Sequence, residues 1–145
     1  MKPGLFPLIA LLGVLGLQPA LAATPESATE LIARGTLLLQ QGKLEPAQQA
    51  FVAALKADPR SVDAHMRLAG VNIAQNNFTA AITLYQQAIT LNPNNAKAFI
   101  GMGIAYLHGG EKSLTHAAFE EAMRIEPGRR AQLEPILAKI DEAAK

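Results

Sequence analysis

Apolar side chains recur every three to four positions from about residue 28 onward, as in Ile82, Tyr85 and Ile89. That is the spacing of one helix face, not the alternation of a half-buried strand. Short polar or glycine-containing breaks cut the pattern into helices expected at about 28–41, 45–57, 62–75, 79–91, 96–109 and 113–125. Ser27 followed by Glu30 is a capping box for the first helix, and Ser61 and Asn95 are suited to cap the third and fifth. A further amphipathic stretch covers 129–144, with Leu133, Ile136, Leu137 and Ile140 on one stripe and Arg130, Lys139, Asp141, Glu142 and Lys145 polar. Pro135 falls near its first turns, where a missing N–H costs less than in mid-helix.

The helices are organised by a repeat. Pro59, Pro93 and Pro127 are separated by 34 residues, and the same step links Phe51, Tyr85 and Phe119, then Ala54, Ala88 and Ala122, then Gly42, Asn76 and Gly110. Each column has a physical reason. The aromatic and the alanine lie three apart and share a helix face, one filling the space between helices and the other admitting a close neighbour. Proline follows where a helix ends. Glycine and asparagine tolerate the left-handed backbone of a tight turn. The expected architecture is therefore all-α: three antiparallel helix pairs at about 28–61, 62–95 and 96–128, closed by a capping helix at about 129–144 that covers the apolar end of the stack.

These columns resemble the tetratricopeptide repeat family. Gly35, Ala69 and Gly103 stand at its small-residue position, and Ala47 and Ala81 at its second one. Its aromatic, later alanine and closing proline are the residues already named. The resemblance covers 28–127 and implies a right-handed superhelical stack whose use is protein binding. The sequence departs from the family at several places. Leu31, His65 and Phe99 replace the usual tryptophan, Leu38 and Asn72 replace a tyrosine kept only as Tyr106, and Thr115 replaces the second small residue in the third repeat. Packing around the second and third repeats is expected to be weaker for it.

The resemblance also implies that the first helix of each pair lines a concave side. The inner positions then hold Ile32, Met66 and Ile100 in one column and Leu39, Ile73 and Leu107 in another, with Ile104 extending them. Positions seven apart share a helix face, so an aliphatic groove is expected, rimmed by Thr29, Asp63, Lys97 and Gln40. Such a patch suits an amphipathic helix or apolar peptide; the bland alternative is that these side chains pack on each other or under the last helix. Some family members grip a C-terminal carboxylate with lysine and asparagine. Here Ile32, Thr36, Arg67 and Gly101 occupy those places and only Lys97 fits, so a chaperone-tail receptor is not expected.

The 145-residue chain is 50% hydrophobic, and part of that excess lies at its start. Met1-Lys2 precedes an unbroken apolar run from Leu5 to Leu17, followed by Pro19 and Ala20-Leu21-Ala22. This is the plan of a secretory signal peptide over 1–22, with cleavage expected between Ala22 and Ala23 and the repeat domain occupying 23–145. The run is short for a membrane span, which takes about 20 residues, so an uncleaved anchor is the lesser alternative. The chain has no cysteine, which excludes a lipid-modified cysteine, disulfides and covalent haem. Without Lys2, twelve basic residues face twelve acidic ones, and no basic stripe for nucleic acid exists.

Little catalytic chemistry is on offer. His65, His108 and His116 lack the i, i+3 or i+4 spacing of metal ligands on one helix. Gly101-Met102-Gly103 falls inside a helix and has no phosphate-loop context; Glu120-Glu121 are adjacent and point about 100° apart. No enzyme, metal or cofactor is expected. The expected function is an exported, periplasmic or secreted scaffold that holds another protein, with cell-envelope assembly as the setting. Self-association and an anchored subunit of a membrane complex are the alternatives.

Overall fold

The computed structural model describes residues 24–143, and the proposed signal segment lies outside them. Seven α-helices follow one another among the described residues: α1 (Ala28–Gln40), α2 (Leu44–Ala57), α3 (Val62–Ala74), α4 (Phe78–Leu91), α5 (Ala96–His108), α6 (Lys112–Ile125) and α7 (Arg130–Glu142), with a 3-10 turn (Pro127–Arg129) leading into the last. The expected helices all form, within two residues of the expected ends.

Local chemistry sets the boundaries. Ser27 and Glu30 close a reciprocal capping box, and the Ser61 and Asn95 side chains accept from the N–H groups of Ala64 and Ala98. At the opposite ends of α1, α3 and α5 the chain reverses through Gly42 (φ 73°), Asn76 (φ 62°) and Gly110 (φ 82°). In each turn the next N–H returns to a carbonyl five residues back: Lys43 to Leu38, Asn77 to Asn72 and Glu111 to Tyr106, at 2.8–2.9 Å. This is the Schellman closure, and it needs a left-handed residue. Asp58, Asn92 and Glu126 end α2, α4 and α6 in extended or near-extended backbone, as a following proline favours.

The pairs α1·α2, α3·α4 and α5·α6 pack tightly, and α2·α3 and α4·α5 join consecutive pairs. Across pairs, α1 touches α3 and α3 touches α5, whereas α2, α4 and α6 make no such contacts with each other. The stack therefore curves with its first helices on the inside. Phe51, Phe119, Ala54, Ala88 and Ala122 are at most 1% exposed. A Cβ on Gly35 or Gly103 would collide with the ring of Phe51 or Phe119, so the small residue and the aromatic of one repeat form a single packing unit. The polar departures are satisfied within their own helices. Asn72 donates to the Leu68 carbonyl at 2.9 Å, Thr115 to that of Glu111 at 3.1 Å, and the buried His65 donates from Nδ1 to that of Ser61 at 2.8 Å.

Helix α7 packs on the third pair. Leu133, Leu137 and Ile140 join Phe119, Ala122 and Met123 in one cluster, with Ile136 half-buried beside them. Pro135 is the sixth residue of α7, in its second turn and near the start as expected. One backbone hydrogen bond toward Ala131 is lost; both residues are exposed, so water reaches the free carbonyl.

Candidate partner-binding surface

The inside of the curve is formed by α1, α3 and α5. Of the side chains expected to line a groove there, Ile32, Leu39, Met66, Ile73, Ile100 and Leu107 are half-buried and Ile104 is 36% exposed. They do not form one free stripe. Ile32 and Leu39 lean on the cluster around Phe51 and Leu68, Met66 and Ile73 on that around Tyr85, and Ile100 and Leu107 on the cluster that α7 closes. Each presents one edge to the inner surface and commits the other to the fold. The rim residues Thr29, Gln40, Asp63 and Lys97 are exposed.

The polar groups of this face are mostly engaged. Arg67 grips Asp63 through Nε at 2.9 and 3.0 Å, and Thr36 donates to the Ile32 carbonyl at 2.8 Å. Asn95 reaches the Met66 sulfur at 3.2 Å, tying α5 to α3. The floor holds two different glycines. A Cβ on Gly101 would run into the ring and hydroxyl of Tyr85, whose burial pushes its phenol pKa up. A Cβ on Gly70 would meet nothing within 4 Å, although Gly70 is exposed in the middle of α3. Sequence reasoning passed over Gly70; the signal was a glycine interrupting a helical pattern without a turn to justify it.

The remaining candidates are occupied. His108 stacks on Phe78 with ring centroids 5.6 Å apart, and His116 Nε2 lies 2.9 Å from Asp141 on α7. Glu121 pairs with Arg124 at 2.6 Å, and that hydrogen bond holds its carboxyl below the ordinary value. Among the described residues no group of three or more His, Cys, Asp or Glu could hold a metal ion, and no helix is long and apolar enough to cross a membrane.

A curved stack of helix pairs with an inner face of first helices and a closing helix defines a helical-repeat protein. Two profiles of the tetratricopeptide repeat match residues 32–96 and 72–140, and the chain belongs to that family. It is similar to the peroxisomal targeting signal receptor of Komagataella phaffii, 31% identical over 87 residues that make up 59% of this chain but 15% of that protein. Cellulose synthase operon protein C of Pseudomonas fluorescens is 30% identical over 114 residues, 74% of this chain and 9% of that one. The chain thus spans a small part of these relatives.

Solved structures agree on the fold. The first repeat domain of Spaghetti (RPAP3), bound to the HSP90 peptide SRMEEVD, superposes with a TM-score of 0.77 at 22% identity, covering 83% of this chain and 95% of that one. The second repeat domain of human RPAP3, in complex with the HSP70 peptide SGPTIEEVD, gives 0.73 at 26% identity, covering 79% and 94%. MamA gives 0.74 at 25% identity, covering 81% and 68%. Tetratricopeptide repeats mediate protein–protein interaction, and that coarse role follows for this chain from its family.

Proposed function

We propose that this chain is an exported adaptor that holds a helical or apolar segment of a partner protein against the inner faces of α1, α3 and α5. Ile104 carries the reading: an aliphatic side chain 36% exposed on the inner face, at the helix position that Gly70 leaves bare on the neighbouring helix. A ligand backbone can approach at Gly70 while an apolar side chain rests on Ile104 and the open edges of Met66 and Ile100. The peptides bound by RPAP3 end in acidic residues. For such an end this inner face offers Lys97 alone of the carboxylate-gripping set, and Arg67 is already paired with Asp63. An apolar ligand is the better match.

The test places a photo-crosslinking amino acid at Ile104 and, as a control on the outer helices, at Gln49. A partner adduct from position 104 and none from 49 supports the reading; the reverse pattern sinks it. Ile104→Asp should then abolish capture with helical content unchanged, because a charge solvated in the free protein would be desolvated in the complex. Leu107 makes a poorer probe, since it shoulders the cluster under α7.

Export and a role in cell-envelope assembly rest on residues 1–22 and are part of the same proposal. Intact mass from the native host should show loss of 22 residues, ending at Ala22. A full-length mass in the membrane fraction would favour the anchored alternative. Self-association is a second reading, and Leu37 on α1, 55% exposed, speaks for it; light scattering separates a dimer from a monomer.

A further inference from the structure

Away from the inner face, a cleft of about 790 Å³ opens between the second and third helix pairs at their tight-turn edge. Its size is within the ~300–1,000 Å³ of ordinary ligand sites. Phe78, Ile82, Tyr106 and Leu114 supply apolar walls, and the only formally charged side chain in the lining is Glu111. Leu114 is 45% exposed, high for a leucine with no evident partner. Glu111 is the N-cap residue of α6, but its side chain makes no capping hydrogen bond, and its carboxylate forms no hydrogen bond or ion pair among the described residues. Lys112 is next in sequence but does not line the cleft.

The chain contains its own control. One repeat earlier, the equivalent space between the first and second pairs is filled by Gln75. Its Nε2 donates to Glu45 at 2.9 Å and to Gln48 at 3.1 Å. Thirty-four residues on, Gln75 becomes Gly109, Glu45 becomes Thr79 and Gln48 becomes Ile82. Gly109 is not demanded by its backbone: φ is −76° there, while the matching caps Gln41 and Gln75 have −85° and −91°. Glycine therefore removes a plug without serving the turn. What fills the closed space is an aliphatic stem tipped by N–H donors facing a carboxylate. In the open space the carboxylate has moved to Glu111 and the stem is missing.

We propose that this edge cleft docks a lysine or arginine side chain of a partner polypeptide. The aliphatic stem lies along Phe78, Ile82 and Leu114, as such stems readily do on apolar surface. The charged head meets Glu111 in a charge-assisted hydrogen bond. The site is independent of the inner-face reading.

The test is an amide NMR titration of the protein purified from its host with three peptides, Ac-Ala-Leu-Lys-Leu-Ala-NH2 and its norleucine and glutamate counterparts at the central position. The lysine peptide should shift the amides of Phe78, Glu111 and Leu114, and the other two should bind about tenfold more weakly or not at all. Glu111→Gln, which keeps the shape, should bring the lysine peptide down to the norleucine level. Gly109→Gln should abolish binding by restoring the plug, and Ile104→Asp should leave it intact. Equal binding of lysine and norleucine peptides, shifts at Met66 and Ile104 in place of the cleft, or no shifts at all would overturn the proposal. If Gly109→Gln disturbs the folded spectrum, Glu111→Gln alone decides.

Discussion

The ring of Tyr85 lies directly under Gly101, so closely that a Cβ added to the glycine would fall 2.5 Å from the phenol oxygen. Tyr85 comes from α4 and Gly101 from α5, so this contact couples the second repeat to the third. Gly101→Ala improves helix propensity but must displace a buried ring. Overpacking of this kind costs about 1–3 kcal/mol. Urea melts should show Gly101→Ala less stable than wild type, and Tyr85→Phe, which keeps the ring, should not restore it.

Gly70 gives the opposite sign. It lies in the same kind of helix interior with nothing near its absent side chain. Gly70→Ala should stabilise by about 0.5–1 kcal/mol, because alanine forms helix more readily and restricts the unfolded chain. If the inner face needs close backbone approach by a ligand, the same substitution should weaken partner capture. A stabilised variant that binds normally would assign Gly70 no role in recognition.

Most of the fold is legible in the residues themselves. Four columns at a 34-residue step locate every helix pair, because each column answers a separate demand: an aromatic plug, a bare helix face, a left-handed turn and a helix stop. The inner face is less legible. Ile100 and Leu107 read as a stripe because they are seven apart, yet how far each is drawn into the cluster closed by Leu133 and Leu137 depends on long-range packing. The edge cleft was hidden for a related reason. It arises from changes at three repeat positions, Gln75 to Gly109, Glu45 to Thr79 and Gln48 to Ile82, and only the side-chain bridge from Gln75 to Glu45 and Gln48 shows what they remove.

The capping box predicts an acid-side effect. Ser27 donates to Glu30 through its backbone N–H and its hydroxyl, both at 2.8 Å, and the backbone hydrogen bond is the larger cause holding the Glu30 carboxyl below its ordinary value. A depressed folded-state pKa contributes stability that is present above the unfolded pKa and lost as pH falls through the folded one. Glu30→Gln should therefore reduce the loss of stability on acidification while lowering stability at neutral pH. Ser27→Ala should cost about 1 kcal/mol at neutral pH by removing the cap for the Glu30 N–H. Thermal melts of both variants from pH 7 to pH 3 check the sign.

Helix α7 is expected to be a stability element for one end of the molecule and not for the whole. Leu133 is 1% exposed and packs with Phe119, Ala122 and Met123 of α6, so Leu133→Ala leaves a cavity in the third repeat worth about 2–5 kcal/mol. A stack in which each unit touches mainly its neighbours does not share such a loss evenly. The amides of α6 and α7 should exchange with deuterium far faster in this variant, those of α3 and α4 moderately faster, and those of α1 and α2 almost as in wild type. Ala138→Gly, exposed on the same helix, separates packing from helix propensity: it should speed exchange in α7 and leave α6 close to wild type. Uniform acceleration across all helices in Leu133→Ala would mean that the repeats unfold as one cooperative unit, and α7 would then support the inner face of α1 as much as that of α5.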